Sequence, residues 1–222
     1  MKRAISEEAK KQRITDILFV AEKLLLSSDY KDITMAMIAK DAKLAKGTLF
    51  LYFETKEDLF LTLAEQLITQ WSHTTQKTIQ EAIAHNITYS VDQCAEVLVD
   101  SVNNKLFMKL VSILDDTLEQ NISLSRAIRF KTFLKEELLA IGTCIEKILP
   151  LPSLGHGAML LHDLFICLVG TYKIAHPSPV IKQAVQTPGL EFFDKDFIET
   201  LQRLSVYLIT GHLASLNGDA QN

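Results

Sequence analysis

Residues 34–60, TMAMIAKDAKLAKGTLFLYFETKEDLF, decide the fold. They predict two short helices, a tight turn between them, and the capped start of a longer helix. Thr34 stands at an N-cap position, where its hydroxyl accepts a hydrogen bond from an amide of the first turn. Met35, Ile38, Ala39 and Ala42 follow at helical spacing and make one apolar face. Lys43, Leu44 and Ala45 form the turn, with Leu44 as its apolar plug. Lys46 to Phe53 make the second helix, in which Leu49 and Phe53, four apart, face inward. Lys46, Thr48 and Tyr52 are left for the outer surface. Two helices joined by a three- or four-residue turn are the DNA-reading helix-turn-helix, whose second helix enters the major groove.

The flanks fit this reading. A first helix is expected from about Glu7 to Ser27, with Ile14, Ile17, Leu18, Ala21, Leu24 and Leu25 on its apolar face. Lys2, Arg3, Lys10, Lys11 and Arg13 crowd its beginning, as an arm touching phosphate or the minor groove, or as a solvated terminus. Thr55 followed by Asp58 resembles a capping box with Asp in place of Glu. It opens a fourth helix running from Lys56 to around Ala84. Further helices are expected near 90–103, 105–120, 123–149, 154–175 and 196–216. A long connection, 176–196, holds a turn of helix in its middle. The chain has only eight Gly and five Pro, and four of the Pro lie between 150 and 179. An all-α protein follows.

Charge is divided along the chain. Residues 1–56 hold eleven Lys/Arg against eight Asp/Glu, and residues 57–222 hold twelve against nineteen, within a net of −4. The reading end is basic and the remainder repels DNA. The charged start, MKRAISEEAKKQR, lacks the apolar core of a signal peptide. No apolar run is expected to span a bilayer. These features predict a cytoplasmic protein with no membrane partner. Cys94, Cys144 and Cys167 are isolated on apolar faces and read as small buried hydrophobes. His156 and His162, six apart, do not share a helix face as a metal pair would. With no Gly-rich phosphate loop, nucleophile elbow or paired-acid motif, an enzyme is not expected, nor a metal or other cofactor.

The block LAKGTLFLYFETKEDL, residues 44–59, resembles the TetR family of bacterial transcriptional regulators. Lys46, Gly47, Thr48, Leu49, Phe53, Lys56 and Leu59 sit where the family pattern wants them. Ile38, Ala39 and Ala42 match its usual first reading helix. Lys43 stands where the family has glycine, Ala45 where it has serine, and Phe50 where it has tyrosine. The resemblance implies an N-terminal three-helix helix-turn-helix domain over residues 1–55. It implies a helical ligand-binding and dimerisation domain over residues 56–222. Double-stranded operator DNA is the implied partner. Lys46 and Gly47 are expected to approach base edges or the backbone, together with Thr48 and Phe50. Thr34, Tyr52 and Lys56 are expected mainly on phosphates, Lys56 at the N-terminus of its helix.

Two more expectations concern the rest of the chain. Residues 158–172, AMLLHDLFICLVGTY, are apolar almost all round. A helix of that kind is buried on two sides. With the last helix it predicts a four-helix homodimer interface, which charges at Phe165 or Leu208 should disrupt. Trp71, Leu98, Phe107, Met108, Val111, Phe130, Phe133 and Phe165 are the expected wall of a site for a small hydrophobic or amphipathic effector. Arg126, Arg129 and Lys131 lie near this set in sequence, where a surface face explains them equally well. The chain then reads as a repressor released from its operator by that ligand. The alternative is a helical ligand-binding or interaction protein that has lost operator binding through the changes at 43, 45 and 50.

Overall fold

The computed structural model describes residues 7–149, 151 and 155–219, with side chains described as far as Leu216. Lys2 and Arg3 of the expected arm lie outside those residues. Among the described residues there is no strand. The helices, in chain order, are α1 Glu7–Ser27, α2 Met35–Asp41, α3 Lys46–Leu49, α4 Lys56–Ala84 and α5 Val91–Ser101. They continue with α6 Lys105–Val111, α7 Leu124–Ile148, α8 His156–Ala175, α9 Pro179–Ala184 and α10 Phe197–Asp219. Their starts are written in the sequence as capping side chains. Thr34 Oγ1 accepts from Met37 N at 3.2 Å, and Thr55 Oγ1 accepts from Asp58 N at 3.0 Å. Ser90 and Gln93 exchange reciprocal bonds at the head of α5, and Asp196 Oδ1 accepts from Glu199 N at 2.8 Å. Each such cap contributes about 1 kcal/mol.

The chain forms two compact units. The first comprises Met1–Leu67 with Lys105–Phe130, the second Ile68–Asn104 with Lys131–Asn222. In the first, Ile17, Ala21, Ile38, Leu49, Leu59 and Phe60 are almost wholly buried. Burial of each large apolar side chain contributes roughly 1.5–3 kcal/mol. Helix α6 packs on α1 within this unit and buries Leu106, Phe107, Met108, Leu110 and Val111. Lys109 of α6 reaches the end of α1, donating to Leu25 O at 2.8 Å and Ser28 O at 3.2 Å. It thereby satisfies carbonyls that the end of a helix leaves open.

In the second unit α10 packs against both α8 and α5. Ile79, Leu98, Ile141, Ile145, Leu160, Leu164 and Ile209 fill its core. Helices α7 and α8 meet at Gly142 and Gly157, where a Cβ on either would collide with the backbone of the other helix. Glu146 Oε1 accepts from Gly155 N and Gly157 N, each at 3.0 Å, and so caps α8 from α7.

Three expectations are corrected. The helix expected over 105–120 stops at Val111, and Leu114–Leu118 forms a wider turn with Leu118 N bonded to Ile113 O. The second reading helix covers Lys46–Leu49 rather than reaching Phe53, although Phe53 N still bonds Leu49 O at 3.1 Å. Ala45 gives that helix no side-chain cap, and the chain tightens through Leu51 N to Thr48 O and Tyr52 N to Leu49 O. Finally, α8 is long and apolar enough to cross a membrane by length and composition, where no such run was expected. Its apolar residues serve two faces: Leu160, Leu161, Leu164 and Leu168 are buried in the core, while Met159, Ile166 and Ile174 are exposed.

Candidate functional site

The turn between α2 and α3 sets the angle of the reading head. Lys43 N donates to Lys40 O at 3.1 Å and Leu44 N to Ala39 O at 2.8 Å. This bond pair is the Schellman motif, which places its C′ residue in the left-handed region. Lys43 occupies that place with φ 56°. A lysine there carries a steric cost of about 1 kcal/mol that glycine would not.

Beyond the turn the second helix divides inside from outside. Leu49 and Phe53 are buried, while Lys46, Gly47 and Phe50 are exposed and Thr48 and Tyr52 half-buried. Lys46 Nζ lies 5.9 Å from the Phe50 ring centroid, so the two side chains share one outer patch. An added Cβ at Gly47 would meet nothing within 4 Å. Internal packing therefore does not require glycine there. Thr34, at the head of α2, is exposed and keeps its hydroxyl proton for a further acceptor. The structure thus groups Thr34, Lys46, Gly47, Thr48, Phe50 and Tyr52 in the reading head.

Lys56, expected on phosphate, has partners within the chain. Its ammonium donates to Tyr30 O at 3.0 Å and Ile33 O at 2.9 Å, and lies 3.9 Å from the Tyr30 ring centroid. Burial pulls its pKa below the ordinary lysine value, against the neighbouring Glu57 and Asp32 charges. Tyr30 in turn donates its hydroxyl to Glu57 Oε1 at 3.0 Å and meets the Phe60 ring edge-on at 5.1 Å. Burial first, and then Glu57, push the Tyr30 phenol upward. Lys56 thus ties the start of α4 to the segment before α2.

Arg126, which the sequence places equally well on a surface face, is buried and paired. It is 9% exposed. Its Nε donates to Asp58 Oδ1 at 2.8 Å, and its Nη atoms to both Glu65 oxygens at 2.7 and 2.9 Å. Thr62 Oγ1 completes the set at 3.3 Å. Asp58, Thr62 and Glu65 follow at i, i+4 and i+7 along one face of α4. The signal in the sequence was that spacing of acids, read only as part of a cap.

The residues expected to wall an effector site fall in different units. Phe107, Met108, Val111 and Phe130 are buried in the first unit. Trp71, Leu98, Phe133 and Phe165 belong to the second. Leu98 lies in that unit's core and Trp71 packs against it, with its indole N–H donating to Ser101 Oγ at 2.9 Å. Phe133 and Phe165 are half-buried. Among the described residues no group of three or more His, Cys, Asp and Glu is placed to hold a metal ion.

Comparison with known proteins follows this architecture. Residues 17–63 match the bacterial regulatory proteins of the tetR family, and residues 65–215 match the tetracyclin repressor-like C-terminal domain. The fatty acid metabolism regulator protein of Bacillus subtilis (strain 168) is 29% identical over 72 residues. That stretch is 32% of this chain and spans only 37% of the relative. A protein of Mesorhizobium loti assigned to the TetR-family transcriptional regulators shares the fold at TM-score 0.55 and 17% identity, over 93% of this chain and 97% of the other. The fatty acid degradation regulator FadR from Bacillus halodurans does so at TM-score 0.54 and 18% identity, over 87% and 94%.

Proposed function

The chain belongs to the TetR family of bacterial regulatory proteins and is a DNA-binding transcriptional regulator; from that premise we propose that it is a repressor released from its operator by a hydrophobic or amphipathic ligand. The observation that carries the reading is the divided face of the second reading helix. Leu49 and Phe53 anchor it, and Lys46, Gly47 and Phe50 are left exposed. Arg126 supports the ligand-responsive part. It joins the start of α7 to α4, the helix that leads directly out of the reading head. A ligand that shifts α4 displaces the head with it.

For the effector we propose a long acyl chain. The partly matching Bacillus subtilis relative is named for fatty acid metabolism. Trp71, Leu98, Phe133 and Phe165 of the second unit are the chemistry that would take such a chain. The residues of α6 that were expected beside them serve the packing of the first unit.

The proposal includes a homodimer through α8 and α10. Met159 is 60% exposed, Ile166 59%, Ile174 61% and Tyr207 64%. Gly170 sits between Ile166 and Ile174 on one face of α8, and Gly211 one turn after Tyr207 on α10. Neither has any atom within 4 Å of an added Cβ. Exposed mid-helix glycines of this kind suit the close approach of another helix. A pair of heads about 34–36 Å apart then reads a near-palindrome. Residence in the cytoplasm accords with this role.

Selection of bound duplexes from a random pool by the full chain, followed by titration of the bound complex with palmitate, tests the reading. Palmitate should release the DNA, and DNA should weaken palmitate binding by the same factor. Enrichment without release would sink the ligand-released repressor. No enrichment at all would favour a helical binding protein that has lost operator recognition.

A further inference from the structure

The most exposed large apolar side chain among the described residues is Leu51, in the reading head. Leu51 is 79% exposed, and its neighbour Phe50 is 42% exposed. Leu51 lies two residues after Leu49 and two before Phe53, in the tightened turns that follow α3. Those two are the buried anchors, whereas Leu51 stands in solvent. A single exposed leucine on a protein surface needs no explanation. Here the leucine lies in one short stretch with the exposed residues Lys46, Gly47 and Phe50, and an added Cβ at Gly47 would meet nothing within 4 Å. A charged rim with an apolar tip is the pattern that suits the major groove. The rim holds phosphates, and the tip meets the one apolar group that the groove presents, the C5-methyl of thymine.

We propose that Leu51 is a specificity-determining residue, which reads thymine methyl groups in the operator half-site. Phe50 shields the contact from water on one side. This rests on the DNA-binding reading of the chain and adds to it the base that is chosen and the group that chooses it. Recognition of this kind makes no hydrogen bond, so the preference it creates is graded. Withdrawing one buried methyl group should cost about fourfold in affinity.

The test uses deoxyuridine, which pairs as thymidine does and lacks only that methyl group. Duplexes are first selected from a random pool with the full chain, and each thymine of the half-site is then replaced singly. The wild-type chain should lose about fourfold at one or two positions. Leu51→Ala should bind the parent duplex more weakly and lose no more at those positions. Leu51 is exposed, so the variant should keep its fold, which circular dichroism verifies. If every thymine tolerates the replacement, the proposal is overturned while DNA binding stands. An equal loss in wild type and in Leu51→Ala would overturn it too, by moving the contact to another residue. A chain that selects no duplex would overturn the DNA-binding reading itself.

Discussion

Arg126 and Glu65 are joined by two parallel hydrogen bonds, Nη1 to Oε1 at 2.7 Å and Nη2 to Oε2 at 2.9 Å. The side chains are 11% and 26% exposed. A bidentate fork of this kind is stronger than a single charged contact, and it fixes direction as well as distance. Asp58 takes the remaining Nε donor at 2.8 Å, at equal exposure. One guanidinium therefore bridges two carboxylates on α4 and offsets the charge of one of them. Arg126→Ala should leave both acids facing each other without a counter-charge. The expected loss is about 3 kcal/mol, the lower range for breaking a buried pair. In a chain of this length that is a fall in Tm of roughly 10 °C. Arg126→Lys should recover part of the loss, because a point charge cannot make the fork. Calorimetry on the three chains checks the order.

The left-handed residue at the end of α2 makes the opposite kind of prediction. Lys43→Gly removes a Cβ from a backbone with φ 56°. Both Schellman bonds are made by the backbone and persist. Stability should rise by about 1 kcal/mol, offset in part by the greater freedom of glycine in the unfolded chain. A fall in stability on thermal unfolding would mean that the lysine side chain has a partner worth more than the strain.

Lys46 and Lys56 should separate in their salt dependence. Lys46 is exposed on the outer face, whereas the Lys56 ammonium is held by two carbonyls. Lys46→Ala should flatten the plot of log affinity against log salt by about one unit, one phosphate contact fewer. Lys56→Ala should lower the stability of the reading head and leave the slope near its original value. Binding titrations at several salt concentrations decide between the two. A slope lowered by Lys56→Ala instead would restore it to the phosphate-binding role expected from sequence.

What sequence reveals and what it hides both follow from the range of the interactions. Helices α1 and α4 begin and end where the pattern places them, because caps and apolar period act within a few residues. The divided face of α3 was equally readable, since Leu49 and Phe53 lie on one stripe. Lys56 was read as a helix N-terminal cation, a local feature, and the two carbonyls it reaches within the chain stand more than twenty residues earlier. Arg126 meets acids more than sixty residues away. Nothing in the local pattern separates it from Arg129, which is exposed. The break after Val111 was hidden for another reason: the apolar period continues through Leu114 and Leu118, which are buried although the α-helix has ended.

Four helix glycines of the second unit supply the last prediction, because they sort into two pairs. Gly142 and Gly157 face each other's backbone, and a Cβ on either has no flexible side chain to push aside. Gly142→Ala or Gly157→Ala should therefore force α7 and α8 apart. The overpacking cost is about 1–3 kcal/mol, reduced by up to about 1 kcal/mol of helix propensity. Gly170 and Gly211 meet nothing. Gly170→Ala or Gly211→Ala should leave the isolated chain as stable as before or slightly more so, by the same propensity. If two copies approach there, the same changes should weaken association, and sedimentation over a range of concentrations should show more monomer. Charges on the exposed faces, Ile166→Asp or Tyr207→Asp, should act more strongly, since an unpaired charge would be desolvated. Phe165 and Leu208, half-buried within the unit, are poorer choices, because a charge there also damages the fold. Unchanged association in Gly170→Ala, Gly211→Ala and both aspartate variants would move the dimer contact off α8 and α10. The spacing of the two reading heads would then need another geometry.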